Sequence, residues 1–507
     1  MGFFLHIMGF CIGGQILWLL FASPASAAEA KPCTALYQSH HLIHPAISTT
    51  LKKAVLDIYT STNCKPFWYT GDSLTTTGFT IAKFLGNLDK QGLSTRAHLY
   101  NRFLYLHKKN HTTLTKDALI SLGLVKAVST LRGHPVSTAS THRIIDEFQG
   151  ATNLRKKLAD LTPGHRFYHR LRRSLPRYKR LTTHPWPTIK YNERSSLRSI
   201  ERIREKLKLL GDWPPRKNRT PFKKAIKTFQ SRHGLKADGI IGRTTLEHLN
   251  IKPSKKLQTI KANLRRWQQL PAEPGGNDIV VNLASNYLRA YVARKLHTEM
   301  KVATGSSLNK TPLMASHLTQ VQINPYWHIP PKIAVNEVIP KALENPKFLE
   351  KAQIKLHRSW EFDSPTLPPS RKSLLTLLKA PKTMRLTQAP GKTNPLGTYK
   401  FVVEAGNGIY LHGTHNTKVF ASKRRSVSHG CIRLEDPTRL AKFLLSQNKP
   451  ISTQRILNQV ASGKTHVYRL NRPFPIYTTY QTAWGDSSGK VHFRPDIYKL
   501  DSESPQS

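Results

Sequence analysis

The 507 residues are 38% hydrophobic and 21% charged, a balance that describes a soluble globular protein of about three domains with chain enough for several cores. Beyond residues 1–28 no stretch is long and apolar enough to span a bilayer, which excludes a multi-spanning membrane protein. The formal charge of +50, from 79 Lys and Arg against 29 Asp and Glu, draws the surface to polyanions; scattered basic residues without zinc-finger spacing or an RNA-binding aromatic signature disfavour specific nucleic-acid recognition and favour anionic polymers or lipids of a cell envelope.

Residues 1–28 read as a signal peptide, because the apolar "FFLHIMGFCIGGQILWLLFA" runs into the small residues Ala25, Ser26 and Ala27. The expected location is periplasmic. The segment carries no Lys or Arg before its apolar run, so an uncleaved signal anchored in the inner membrane is the alternative, and a membrane contact follows only in that case. Three cysteines remain after cleavage: Cys33, Cys64 and Cys431. An exported chain can keep a disulfide. Cys33 and Cys64 either close one loop, leaving Cys431 as the odd thiol, or all three are free.

Residues 29–185 have a helical, basic pattern and are expected to form a scaffold domain. Leu51, Val55, Ile58 and Tyr59 recur at helical spacing, and Phe67, Trp68 and Tyr69 follow a proline. Further on, "TLRGHPVSTASTHRIIDEFQ" and "LTPGHRFYHRLRRSLPRYKRLTT" read as short helices broken by Pro and Gly. The proline-rich "THPWPTIKYNERSS" is a linker. Residues 195–252 are a compact unit. Leu197, Ile200, Ile203, Leu207 and Leu210 form one helical stripe stopped at Gly211; a second helix ends near Gly234, and after the "ADGIIG" turn a third begins at Thr244 or Thr245. Ala225, Ile226, Phe229, Gln230, Gly234, Leu235, Asp238, Gly239, Gly242, Thr245 and Leu246 resemble the three-helix peptidoglycan-binding module of cell-wall enzymes. These are mostly structural positions, and whether the module grips glycan or spaces domains stays open.

A linker helix is expected within 253–277. From 278 to 445 short alternating stretches, Val281 and Leu283, then Leu288, Ala290 and Val292, indicate a mostly-β domain. A helical insertion is expected over about 338–382, around "IAVNEVIPKALENPKFLEKA", and 446–507 is an extension completing the scaffold and catalytic region. The fold class is multidomain α+β, with a helical N-terminal scaffold, a three-helix module and a mostly-β domain carrying a helical lid. A parallel-sheet hydrolase is excluded, since strands and regular helices do not alternate.

Chemistry concentrates in "GIYLHGT" and "SHGCIRLEDPTRLAKFLL". If the strands at His412 and Cys431 lie side by side, the imidazole reaches the thiol. A thiol near its ordinary pKa of about 8.5 is mostly protonated at neutral pH, and an adjacent imidazole can take the proton or hold a thiolate. Gly430 permits a strained turn and close substrate approach, and the consecutive N–H groups at 430 and 431 suit an oxyanion. Arg433 projects to the side of Cys431 if the strand persists, and its planar fork suits a carboxylate. The competing readings are an inert cysteine, an ordinary core histidine and a solvated arginine. A zinc site of His412, His415, His429 and Cys431 lacks paired ligands at the usual spacing.

"HGT", a loop, then "SHGCIR" resembles the catalytic signature of L,D-transpeptidases of the YkuD fold. The resemblance implies Cys431 as nucleophile, His412 as acid/base, the Gly413 carbonyl orienting the imidazole, and His429 and Gly430 shaping the pocket. Arg433, Tyr410, Trp327 and Ser428 are the expected substrate-binding residues. "KTPLM", "INPYWHIPPKIA", "RLTQAPGKTNPLGTYKF" and "FRPDIYKLD" are similar to large periplasmic members that carry a scaffold domain and an inserted peptidoglycan-binding module. In some large members serine precedes Gly-Cys, whereas here it is His429, as in the smaller enzymes. The implied partners are donor and acceptor peptidoglycan stem peptides, with no metal or organic cofactor. The implied reaction is thioester formation on a tetrapeptide stem with release of D-alanine, then transfer to an amine to give a link between third residues. A lipoprotein lysine is another acceptor. Members of the family are generally acylated at the cysteine by carbapenems. An L,D-carboxypeptidase or endopeptidase, a noncatalytic envelope-binding protein and a nucleic-acid-binding protein are the alternatives.

Overall fold

The structure, a computed structural model, describes residues 47–88, 98–108, 111–132, 134–164, 166–213, 221–268, 270, 276–361, 363–404, 408–448 and 451–502. The expected signal peptide and Cys33 lie outside the described residues; Cys64 is disulfide-bonded and Cys431 is a free thiol. The chain divides into two compact units, residues 1–89 with 95–159, and residues 90–94 with 160–507. The stretch expected as one scaffold to residue 185 therefore divides near 159. The reason is packing: Tyr168, Leu171, Leu175, Tyr178 and Leu181 are buried in the second unit, and Tyr178 meets Phe493 edge-on at 5.9 Å.

The first unit is helical, built from Thr49–Ser61, Thr76–Leu88, His98–Lys108, Thr113–Arg132 and Thr138–Gln149, with a small hairpin of β1 (Tyr69–Thr70) and β2 (Ser73–Leu74). The expected stripe of Leu51, Val55, Ile58 and Tyr59 is buried. A polar centre sits inside this core. Asp117 accepts from the Tyr59 hydroxyl and from the backbone N–H groups of Phe67 at 3.0 Å and Trp68 at 2.7 Å, and Ser121 takes the Trp68 indole N–H at 2.7 Å. These bonds fix the Phe-Trp-Tyr stretch to the long helix. Burial outweighs them and pushes the Asp117 carboxyl up to about 6.

In the second unit the helices Leu197–Leu210, Phe222–Arg232 and Arg243–Asn250 form the three-helix module. Gln230, 1% exposed, explains its sequence pattern. Its amide donates to Asp238 Oδ1 at 2.9 Å, the Ile240 carbonyl at 2.9 Å and Thr245 Oγ1 at 3.1 Å, while its oxygen accepts the Gly239 N–H at 2.8 Å. One side chain thus staples the turn to the third helix. Gln230→Ala leaves several of these groups without a partner inside the core and is expected to destabilise the module by about 1–3 kcal/mol, read from chemical denaturation. The module is tied onward by the buried pair Arg232–Asp212 at 2.5 Å, and Arg232 also donates to the Val491 carbonyl.

The remaining strands, in chain order, are β3 (Asp278–Asn282), β4 (Tyr287–Val292), β5 (Lys295–Gly305), β6 (Met314–Ile323), β7 (Trp327–His328), β8 (Ile354–His357), β9 (Thr366–Leu367), β10 (Arg385–Gln388), β11 (Tyr399–Val403), β12 (Tyr410–His412), β13 (Ser426–Ser428), β14 (Ile432–Leu434), β15 (His466–Thr479), β16 (Ala483–Gly485) and β17 (Val491–Phe493). Nine form one sheet in the order β13-β5-β14-β12-β11-β6-β15-β3-β4, and a β4–β5 pairing brings its ends together. Inside lie Val281, Leu288, Val321, Phe401, Leu411 and Ile432, with Leu440 and Leu444 of helix Pro437–Asn448 packed against them. The segment after 445 is more than an appendage: β15 enters the middle of the sheet, antiparallel to β6 and parallel to β3.

The insertion differs from the helical one expected. It carries a four-stranded sheet, β7-β10-β8-β9, and runs from Trp327 to Gln388. Its core contains Ile329, Val338, Ile339, Leu349, Leu356 and Leu377. Strands of two to four residues leave too short an alternation to see in sequence. Pro331–Ile333 opens a helical run that widens to a π turn at Ala334–Val338 before Ile339–Glu344. Pro340 has no N–H to return to the preceding turn, and a widened turn accommodates that loss.

Candidate active site

Strands β12 and β14 run parallel with Leu411 opposite Ile432 and His412 opposite Arg433. Strand β11 flanks them antiparallel with Lys400 opposite His412. Paired residues share a face and alternate residues return to it, so Lys400, Tyr410, His412, Cys431 and Arg433 belong to one face. Phe401, Leu411 and Ile432 point to the core on the other, each fully buried. The strands expected side by side are neighbours, with Cys431 at the entrance of β14 rather than at the end of a strand.

His412 is 5% exposed. Burial, and then the charges of Arg433 and Lys400, hold its imidazole down at about 3, against the pull of the Gly413 and Pro395 carbonyls. Its Nδ1 has no partner at hydrogen-bond geometry, so those carbonyls act as nearby dipoles rather than as formed bonds. Burial raises the Cys431 thiol above its ordinary value, opposed by the backbone N–H and hydroxyl of Tyr410 and by Lys400 and Arg433. The Cys431 thiol points toward the Gly408 carbonyl at 3.8 Å. Tyr410 is itself raised, by burial and then by Cys431, with Trp327 in donor position toward its oxygen. The Lys400 ammonium lies 4.4 Å from the Tyr410 ring centre, and burial lowers its pKa. At neutral pH the site therefore holds an uncharged thiol and an uncharged imidazole beside two cations.

The turn before Cys431 is held from several sides. Gly430 has φ 122°, a backbone conformation that favours glycine, and a Cβ there would also press on the end of the Ile409 side chain at 2.9 Å. Its carbonyl accepts from Thr311 Oγ1 at 2.6 Å; Thr311 accepts the Gly305 N–H at 2.9 Å, and Tyr498 donates to the Gly305 carbonyl at 2.8 Å. Ser428 is 3% exposed, and its hydroxyl donates to the Cys431 carbonyl at 2.6 Å while accepting the Gly430 N–H at 3.2 Å. Ser428 thus braces the turn, and the Gly430 N–H is already engaged, which leaves Cys431 as the backbone donor of the expected pair. Gly413 is buried and donates to the Tyr399 carbonyl at 2.9 Å. His429 meets the insertion, its Nε2 lying 3.0 Å from Glu337 on the π turn, and both side chains are more than 40% exposed, at 45% and 44%.

Sequence reading missed Lys400, Thr311, Tyr498 and Glu337. Thr311 and Tyr498 stood inside the family-like stretches "KTPLM" and "FRPDIYKLD" without an assigned role, and a lysine in an alternating strand reads as solvent-facing.

Residues 276–465 match the L,D-transpeptidase catalytic domain, YkuD, and residues 199–249 match a "Putative peptidoglycan binding domain". The chain carries a YkuD L,D-transpeptidase catalytic domain. It is also similar to a protein of Haemophilus influenzae described as "Putative L,D-transpeptidase", 31% identical over 254 residues that make up 50% of each chain. The chain thus spans about half the length of that curated relative. The YkuD match contains both halves of the site and the whole insertion, and stops at the residue before β15. Among the described residues no helix is long and apolar enough to cross a membrane.

Proposed function

We propose that the protein is an exported peptidoglycan L,D-transpeptidase. The observation that carries this reading is the single face of β11, β12 and β14 that joins Cys431, His412, Tyr410, Lys400 and Arg433 inside a YkuD domain. Cys431 Sγ attacks the carbonyl of the third residue of a tetrapeptide stem as His412 takes the thiol proton. The oxyanion forms beside the Cys431 N–H. Collapse breaks the peptide C–N bond, and the imidazolium returns its proton to the departing D-alanine amine. An acceptor amine then attacks the thioester, His412 removes the surplus proton, the C–S bond breaks as the new amide forms, and the imidazolium returns that proton to the departing sulfur.

Arg433 is suited to the carboxylate of a diamino-acid stem residue, and Trp327 and Tyr410 line the donor's approach. The insertion acts as a lid joined to the reactive loop through Glu337 and His429, and excludes water so that an amine wins the second step. The three-helix module presents the domain to the polymer. Incubation with disaccharide-tetrapeptide and chromatography of the muropeptides tests the whole reading. Cross-linked dimer with one D-alanine released per link is the expected product. Tripeptide monomer alone would make the protein an L,D-carboxypeptidase, and unchanged substrate would overturn the enzymatic reading.

A further inference from the structure

Lys400 has no task in the sulfur chemistry, yet it stands in the reacting row. Its partner on β12 is His412, whose partner on β14 is Arg433, so the three lie side by side with the imidazole in the middle. Neighbouring strands are about 4.8 Å apart, which sets the backbones that carry the two cations roughly 10 Å from each other. The Lys400 position is partly buried, its ammonium lies 4.4 Å from the centre of the Tyr410 ring, and the Cys431 sulfur is the acidic group that acts on it.

Among the described residues the Lys400 ammonium has no ion pair and no hydrogen bond. Its partner on β6 is Gln322, a neutral amide that donates to Gln320 at 3.3 Å. Glu404, which follows β11, lies 3.3 Å from His317, and residues 405–407 are Ala, Gly and Asn, none of them acidic. Arg433 differs, because Glu337 of the insertion acts on its charge. An ammonium drawn out of water without a counter-charge is held at a cost, and an arriving carboxylate offsets it.

A tetrapeptide donor with a diamino acid at its third residue carries two carboxylates near the bond that breaks. One is on the diamino-acid side chain, and the other ends the departing residue, one carbon away from the scissile nitrogen. His412 returns its proton to that nitrogen, so the departing residue lies over His412. Arg433, two residues from Cys431 in the same strand, stays with the acyl half; on the other side of His412 stands Lys400. We infer that Lys400 binds the free terminal carboxylate of the departing residue and so selects donor stems that end at their fourth residue, an inference that rests on the transpeptidase reading of the site. In a stem one residue longer that carboxyl is an uncharged amide, and the terminal charge moves outward by about 3.8 Å. Held at Lys400, the carboxylate also keeps the departing amine over the imidazole that protonates it.

The full chain carrying Cys431→Ala, which cannot form the thioester, is titrated by calorimetry with a disaccharide-tetrapeptide and with the same stem as its terminal carboxamide. The acid is expected to bind about tenfold or more tighter than the amide, the scale of a hydrogen bond to a charged group. Adding Lys400→Gln is expected to weaken the acid by that factor and leave the amide within about twofold, so that the preference vanishes. Lys400→Arg keeps a cation and is expected to keep most of the preference, with circular dichroism checking the fold of each variant. A purely structural lysine, or one that acts only on the sulfur, would change acid and amide alike. Equal binding of acid and amide, a preference that survives Lys400→Gln, equal weakening of both stems, or no binding of either overturns the assignment. The two stems offered to the native chain keep this separate from the reaction: turnover without discrimination sinks Lys400 and leaves the transpeptidase reading, whereas discrimination in binding without turnover sinks that reading and leaves Lys400 as a carboxylate site.

Discussion

Replacing Cys431 by alanine is expected to abolish covalent labelling of the protein by a carbapenem, with intact mass showing one adduct on the native chain and none on the variant. The site argues for a complete loss because no other side chain on the shared face of β11, β12 and β14 can replace the sulfur as a nucleophile: Lys400 is a cation and Tyr410 a phenol held protonated by burial. Among the described cysteines Cys431 alone is free, Cys64 being disulfide-bonded, so the single adduct is assigned without digestion. The expected fall in acylation rate is at least about 10³-fold, the scale on which loss of a covalent nucleophile is felt. Tyr410→Phe belongs beside it. Removing the hydroxyl that faces the sulfur takes one hydrogen bond from the thiolate as it forms, about 1.5–3 kcal/mol for a bond to a charged group, or roughly ten- to a hundredfold in rate. An undiminished adduct on Cys431→Ala would place the nucleophile elsewhere and remove the basis of the transpeptidase reading.

Much of this site was legible because its parts are local. His412 closes one short apolar strand, Cys431 opens another, and the spacing of "SHGCIR" dictates that Arg433 returns to the face of Cys431. The three-helix module was legible for a related reason, since Gln230, Asp238, Gly239 and Thr245 are close in sequence as well as in the network they build. What stayed hidden depends on contacts across long stretches of chain. Ser428 reads as a pocket hydroxyl until the turn folds back and spends it on Gly430 and Cys431. Thr311 and Tyr498 brace the same turn from distant segments. Strand β15 carries Arg469, Asn471, Arg472 and two prolines, which weaken any sequence signal for a strand that pairs on both sides. Lys400 gives no sign in sequence that its strand lies beside the thiol, because only register places it opposite His412.

The second large effect concerns the proton. A site that begins with a neutral thiol and a neutral imidazole behaves differently from one that stores a thiolate–imidazolium pair. His412 is held at about 3 and burial raises the Cys431 thiol above its ordinary value, so the native protein is expected to show no thiolate absorbance at neutral pH and to gain it only on the alkaline side of the ordinary thiol range. Acylation should then be level through the neutral range. Acid cuts two ways. The unfolded imidazole titrates at 6.5, the folded one far lower, so the unfolded chain takes up the proton first and stability falls as pH drops from 6.5 toward 3; rates are therefore read where circular dichroism shows the protein folded. In this scheme His412 works only during the reaction, as the base that removes the proton while sulfur attacks. His412→Gln is expected to slow acylation by about 10²- to 10⁴-fold, the usual contribution of general base catalysis, and to leave the thiol's own titration nearly where it was. A stored ion pair predicts the reverse: thiolate visible at neutral pH in the native protein and lost in the variant. Thiolate absorbance measured across pH in both proteins decides between them, and thiolate already present at pH 6.5 would show that Arg433, Lys400 and Tyr410 stabilise the charged sulfur more than burial opposes it.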